Sequence, residues 1–162
     1  SAGPTGEGGF PAEKGRYRLY VAYICPGASR TWIARKLKKL EEVVSLSVVE
    51  PALTDQGWRF GDYPGATRDE VNGATYLHEI YTLADPQVSG RATVPVLWDR
   101  KRRTIVNNES ADILRMCNSG VGALADNSVD LYPQDRGTEC AHLSKPQQRG
   151  LSRRFRHDAG GL

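Results

Sequence analysis

Between Arg16 and Val49 the chain reads as a strand, a helix and a second strand, and that order leaves little choice of topology. Arg16 to Ile24 alternates and then becomes an apolar run, the pattern of a strand with its later part buried. Ser29 to Leu40 spaces Trp32, Ile33, Leu37 and Leu40 along one helical face, with Arg35, Lys36 and Lys39 on the other. Val43 to Val49 is a second strand. Two strands joined through a helix run parallel, with a right-handed crossover.

The rest of the chain extends this frame. Glu50 to Gly73 is a long connection with Trp58, Pro64 and Gly65, of a length that is often functional. Ala74 to Ala84 has helical spacing, with Tyr76, Leu77, Ile80, Tyr81 and Leu83 as its apolar residues. Val94 to Trp98 and Thr104 to Val106 read as a hairpin around Lys101-Arg102-Arg103. A last helix opens at Glu109-Ser110-Ala111-Asp112 and runs to Cys117. Residues 1–15, rich in Gly, Pro and Ala, read as a flexible entry.

This order predicts an α/β fold, a four-stranded mixed sheet flanked by helices in the thioredoxin-like arrangement. Two local signals agree with it. Cys25 stands at the start of the first helix, and Pro95 follows Val94 where such folds carry a cis-proline. The 162 residues suffice for one such domain, and no apolar run approaches the roughly 20 residues of a membrane span. No signal peptide is apparent. Three cysteines at unrelated spacings make no disulfide framework and point to a reducing, cytoplasmic setting. His78 has no ligand-spaced partner, so no metal is expected.

Charge separates the chain in two. The net charge of +3 resides in residues 137–162, where five basic side chains face Glu139 and Asp158, leaving residues 1–136 neutral. A neutral body gives no nucleic-acid surface, and the basic tail reads as solvated.

A thiol at a helix N-terminus meets unpaired backbone N–H groups and the positive end of the helix dipole, which favour the thiolate. Arg30, one turn on, adds positive charge, and Pro26 suits the first turn. The alternative is an inert buried cysteine. Position 28 is Ala, so no CxxC dithiol exists, and a reactive Cys25 works as a monothiol with an external thiol. Cys117 falls on the apolar side of the last helix and reads as core.

The segments YICPGASRTWIARKLKKLEEVVSLSVVEP, GWRF, YLHEIYTLADPQVSGRATVPVLWD and TIVNNESADILRMCNS together resemble the glutathionyl-hydroquinone reductases, the xi class of glutathione transferases. The resemblance spans about Arg16 to Asp135 and implies a thioredoxin-like domain, residues 16–118, that binds glutathione as co-substrate. In the family an all-helical domain follows. The implied reaction is reduction of glutathionyl-hydroquinones, with Cys25 attacking the glutathionyl sulfur. The resemblance assigns glutathione binding to Trp58, to Arg91 with Val94 and Pro95, and to Glu109 and Ser110 at the γ-glutamyl end. It implies glutathionylated quinols as substrates and allows a homodimer. A general glutaredoxin-like thiol–disulfide reductase and a non-catalytic glutathione-binding product are the other readings.

Two features depart from the family pattern. Gly27 stands where the family usually has Trp after Cys-Pro, which changes the pocket wall and adds backbone freedom. Residues 119–136 read as a linker toward a helical domain that is absent, and residues 137–162 as an irregular tail translated out of frame. Read one base later, permitted codons from Gln147 onward spell a string similar to the family's helical-domain signature NNGVYxAGFxTTQ, whose tyrosine acts as proton donor. In that reading the tail's charge has no partner to explain.

Overall fold

The structure, a computed structural model, describes residues 10–132. Its elements are β1 (Tyr17–Val21), α1 (Pro26–Leu37), β2 (Val44–Val48), β3 (Leu53–Thr54), β4 (Gly57–Trp58), α2 (Leu77–Ala84), β5 (Val96–Asp99), β6 (Thr104–Asn107) and α3 (Ser110–Arg115). A π-helical turn, Met116–Gly120, continues α3, and a 3₁₀ turn covers Gly122–Leu124.

The sheet has the order β2-β1-β5-β6. β1 runs parallel to β2, with Tyr17 beside Val44 and Val21 beside Val48. It runs antiparallel to β5, with Tyr17 opposite Asp99 and Tyr20 opposite Val96, and β5 pairs antiparallel with β6. Tyr17, Leu19, Tyr20 and Val21 are all fully buried, as a strand covered on both faces requires. The expected mixed four-stranded sheet is therefore present, with α1 packed on α3 and α2 packed against β4 and β6.

A buried ion pair fastens the strand ends away from Cys25. Arg16 Nη2 lies 2.6 Å from Asp99 Oδ2, and Arg16 Nε donates to both carboxylate oxygens. Asp99 Oδ1 also accepts from the backbone N–H groups of Lys101 and Arg102, which sets the β5–β6 turn.

Four expectations need correction. The first is the face of α1. Ala28, Thr31 and Ala34 are the buried residues, while Ile33 and Leu37 are exposed. Small side chains at this spacing let α1 pack closely on α3, and that gain outweighs the larger apolar residues turned outward. Arg35 and Lys38 turn inward: Arg35 Nε donates to Val44 O, and Lys38 Nζ to Val129 O at 2.9 Å. Leu40 is buried but lies past the helix, which stops where Lys39 takes a left-handed φ of 52°.

The second concerns the entry segment. Phe10 is buried beneath the Arg102 guanidinium, and Pro11 O accepts from Tyr17 Oη at 2.6 Å. Residues 10–15 thus belong to the packed domain.

The third concerns residues 119–132, which are held on the domain and do not run free of it. Asp126 N donates to Lys38 O, Lys39 pairs with Asp126 at 2.7 Å, and Asn118 bonds Asp130 and Leu131 N. The Lys39 ammonium, with help from Ser128, holds the Asp126 carboxyl well below the usual carboxylate range. Cys140 and the tail of residues 137–162 lie outside the described residues.

The fourth concerns the long connection, which contains the β3–β4 hairpin. His78 Nδ1 lies 3.1 Å from Gln56 O in its turn, and the ring stacks on Tyr76. His78 is thus a half-buried packing residue. Among the described residues no three His, Cys, Asp or Glu are grouped to hold a metal ion, and no helix is long and apolar enough to cross a membrane.

Candidate functional site

The β1–α1 junction places the thiol. The chain leaves β1, turns through Tyr23 and Ile24, and Cys25 becomes the N-cap of α1 with φ −90° and ψ 112°. Pro26 follows as the first helical residue, where its missing N–H costs nothing. The Cys25 side chain makes no capping bond, and no acidic residue occupies the first turn of α1. The helix dipole's positive end therefore faces the half-buried thiol without local compensation.

The second wall comes from the loop ahead of β5. The Val94–Pro95 peptide bond is cis, as the Val-Pro signal predicts, and both residues are buried. Cys25 Sγ donates to the Val94 carbonyl oxygen at 3.8 Å. The third wall comes from the start of α3. Ser110 is buried, and a Cβ placed on Gly27 would stand 3.7 Å from Ser110 Oγ and 3.9 Å from Cys25 Sγ. Cys25, Gly27, Val94, Pro95 and Ser110 thus converge.

Glu109 is the N-cap of α3. Its Oε1 accepts from Ala111 N at 3.3 Å and from Ser110 Oγ at 3.4 Å. The exposed carboxylate thus caps its own helix.

The remaining expected residues lie apart. Trp58 is half-buried on β4 against the core, and Arg91 is exposed in the loop before Val94. No hydrogen bond, ion pair or ring contact joins either one to Cys25, Val94, Glu109 or Ser110 among the described residues. Arg30 is exposed on α1 and makes no ion pair or hydrogen bond with Cys25.

One contributor was invisible to sequence reasoning. The buried Tyr81 hydroxyl donates to Thr93 O at 2.8 Å and accepts from Asn108 Nδ2 at 3.3 Å. It ties the loop of Val94 to the segment of Glu109 and Ser110. Helical spacing reads Tyr81 only as an apolar-face residue. A phenol, which needs a partner when buried, was the available signal. Cys117 is buried, and burial pushes its thiol up to about 12, so it stays protonated and shielded.

Comparison with known proteins places this geometry. Residues 24–119 match the family model of the glutathione S-transferase N-terminal domain, and the chain belongs to that family. The relatives include glutathionyl-hydroquinone reductases and omega-like glutathione S-transferases, and similar solved structures include xi-class glutathione transferases. The chain is 52% identical over 143 residues to the Escherichia coli glutathionyl-hydroquinone reductase YqjG, covering 88% of this chain and 44% of that protein. It is 45% identical over 132 residues to the reductase PcpF of Sphingobium chlorophenolicum, covering 80% and 41%. The glutathione-bound structure of the E. coli protein superposes with a TM-score of 0.74 at 54% identity, covering 77% of this chain and 41% of that one. The chain thus spans less than half the length of these relatives.

Proposed function

We propose that this chain carries the glutathione-handling half of a glutathionyl-hydroquinone reductase, with Cys25 as nucleophile. The observation that supports this reading most is the position of Cys25 Sγ, between the Val94 carbonyl and the start of α3 at Ser110. A glutathione peptide fits this arrangement. Backbone beside Val94–Pro95 pairs with its extended cysteinyl part, and the start of α3 takes the γ-glutamyl carboxylate while Glu109 swings to the ammonium. Trp58 and Arg91 act as flanking contacts, and Arg30 adds positive charge on α1.

In the reaction, the Cys25 thiolate attacks the sulfur of the glutathionyl group. The sulfur–carbon bond breaks, its electron pair stays on the ring carbon, and that carbon takes a proton to give the hydroquinone. A Cys25–glutathione disulfide forms. A second glutathione, as thiolate, attacks the glutathione sulfur of that disulfide, releasing glutathione disulfide and restoring the Cys25 thiolate. Both sulfurs are oxidised together and the ring carbon is reduced. Among the described residues the other thiol, Cys117, is buried, and an external thiol completes the cycle.

Ile33 and Leu37, exposed one turn apart on α1, support a further reading, that this face packs on the helical domain of longer family members. A simple glutathione mixed-disulfide reductase is the second reading, because it needs only Cys25 and the loops already in place. Single-turnover assays separate the two. Release of hydroquinone from a glutathionyl-hydroquinone supports the first. Turnover of a small mixed disulfide alone supports the second.

A further inference from the structure

The strand ends away from Cys25 enclose a cleft of about 330 Å³. Its walls are residues 13–16 ahead of β1, residues 71–72 of the long connection, and the β5–β6 turn. That volume stands at the low end of ligand pockets, about 300–1,000 Å³, and suits a small molecule. Five cationic side chains line it, Lys14, Arg16, Arg100, Lys101 and Arg103, against one carboxylate, Glu13. Arg16 is buried there, held by Asp99 and Glu13. Lys101 pairs with Glu13, and Lys14 with Glu42 at 3.0 Å.

Arg100 and Arg103 have no carboxylate partner among the described residues. Arg100 Nη1 donates to Gly15 O at 3.0 Å, which anchors that guanidinium on the segment ahead of β1. Arg103 takes a left-handed φ of 52°, a conformation that glycine or asparagine adopts with less strain. The turn is already set by Asp99 Oδ1, which accepts from Lys101 N and Arg102 N. The Arg103 side chain adds no hydrogen bond or ion pair to it among the described residues. What it adds is an unpaired guanidinium at the cleft.

We propose that this cleft binds a small anion carrying two phosphate groups, held on the Arg100 and Arg103 guanidinia beside the buried Arg16. A guanidinium fork matches one phosphate bidentately, so two free forks match two groups. Glu13, the one lining carboxylate, opposes the ligand. Charge over residues 1–136 is balanced, which favours a compact anion over a nucleic-acid strand. The site involves neither Cys25 nor glutathione.

The test is calorimetric titration of the full chain with inorganic pyrophosphate, at an ionic strength held at about 0.15 M. Pyrophosphate should bind, and more tightly than inorganic phosphate. Arg103→Asn suits the left-handed φ, so it should keep the thermal midpoint or raise it while weakening pyrophosphate about tenfold. Arg100→Gln should weaken it by a similar factor. Glu13→Gln should tighten it about threefold, and Lys36→Gln, an exposed cation on α1, should leave it unchanged. The basic tail of residues 137–162 offers charges of its own. Binding that survives both Arg100→Gln and Arg103→Asn therefore lies elsewhere and overturns the proposal. Absence of pyrophosphate binding overturns it, and so does Glu13→Gln that fails to tighten it. A thymidine oligonucleotide that binds more tightly than pyrophosphate, and is lost in the same arginine variants, overturns the small-anion assignment.

Discussion

The Tyr81 hydroxyl donates to the Thr93 carbonyl oxygen at 2.8 Å. The Tyr81 hydroxyl oxygen itself accepts from Asn108 Nδ2 at 3.3 Å, so one buried phenol joins the two segments that carry Val94 and Glu109–Ser110. Burial pushes this phenol up, which keeps it protonated and able to donate at ordinary pH. Tyr81→Phe removes the hydroxyl that bonds both Thr93 O and Asn108 Nδ2. The expected cost is about 1–3 kcal/mol, read from urea unfolding. Amide hydrogen exchange should quicken at residues 93–95 and 108–110 together. Faster exchange in only one of these segments would contradict the bridging role.

The Arg16–Asp99 pair yields a second effect. Asp99 is fully buried and also orders the β5–β6 turn through Lys101 N and Arg102 N. Asp99→Ala leaves the buried Arg16 guanidinium with Glu13 alone on Nη1 and should cost about 3 kcal/mol, the low end for a broken buried pair, measured by the urea midpoint at constant m. A loss below about 1 kcal/mol, the range of exposed pairs, would mean that the pair is effectively solvated.

Alkaline pH should destabilise the domain in a defined window. Burial raises the Cys117 thiol from 9.0 to about 12 and the Tyr17 phenol from 10.0 to about 12. Between the unfolded and folded values the native chain binds more protons than the unfolded one. Stability is therefore full below pH 9 and falls as pH rises toward 12. Thermal melts across this range check the sign. Cys117→Val should delay the start of the fall from near pH 9 to near pH 10, where Tyr17 takes over. A stability that rises above pH 9 would contradict the assignment.

What the sequence made legible was local. Cys25-Pro26 after an apolar run marks a strand-to-helix junction, and Val94-Pro95 opening a buried strand marks the facing loop, because proline constrains backbone wherever it stands. The order of elements then settled the sheet. What stayed hidden depended on packing between distant segments. The α1 face is chosen by the close approach of α3 over Ala28, Thr31 and Ala34, and hydrophobicity alone favours Ile33 and Leu37. Residues 119–132 read as a linker because their anchors include the backbone oxygens of Lys38 and Val129, which carry no side-chain signal. Phe10 lies within a Gly- and Pro-rich stretch, and only its tertiary partner Arg102 shows that it is packed. Cys25, Val94, Pro95 and Ser110 are brought together by the fold. The roles of Trp58 and Arg91 rest on resemblance, and that of Arg30 on its charge near the start of α1.

The central claim is that Cys25 takes the glutathionyl group. The direct measurement is intact mass of the folded chain after incubation with glutathione disulfide, followed by peptide mapping. The account predicts one glutathione on Cys25, removed by dithiothreitol and absent from that position in Cys25→Ser, with Cys117 unmodified until the chain is unfolded and any Cys140 adduct assigned separately by the mapping. A folded chain that gains no glutathione on Cys25, or keeps the full adduct after Cys25→Ser, would contradict it.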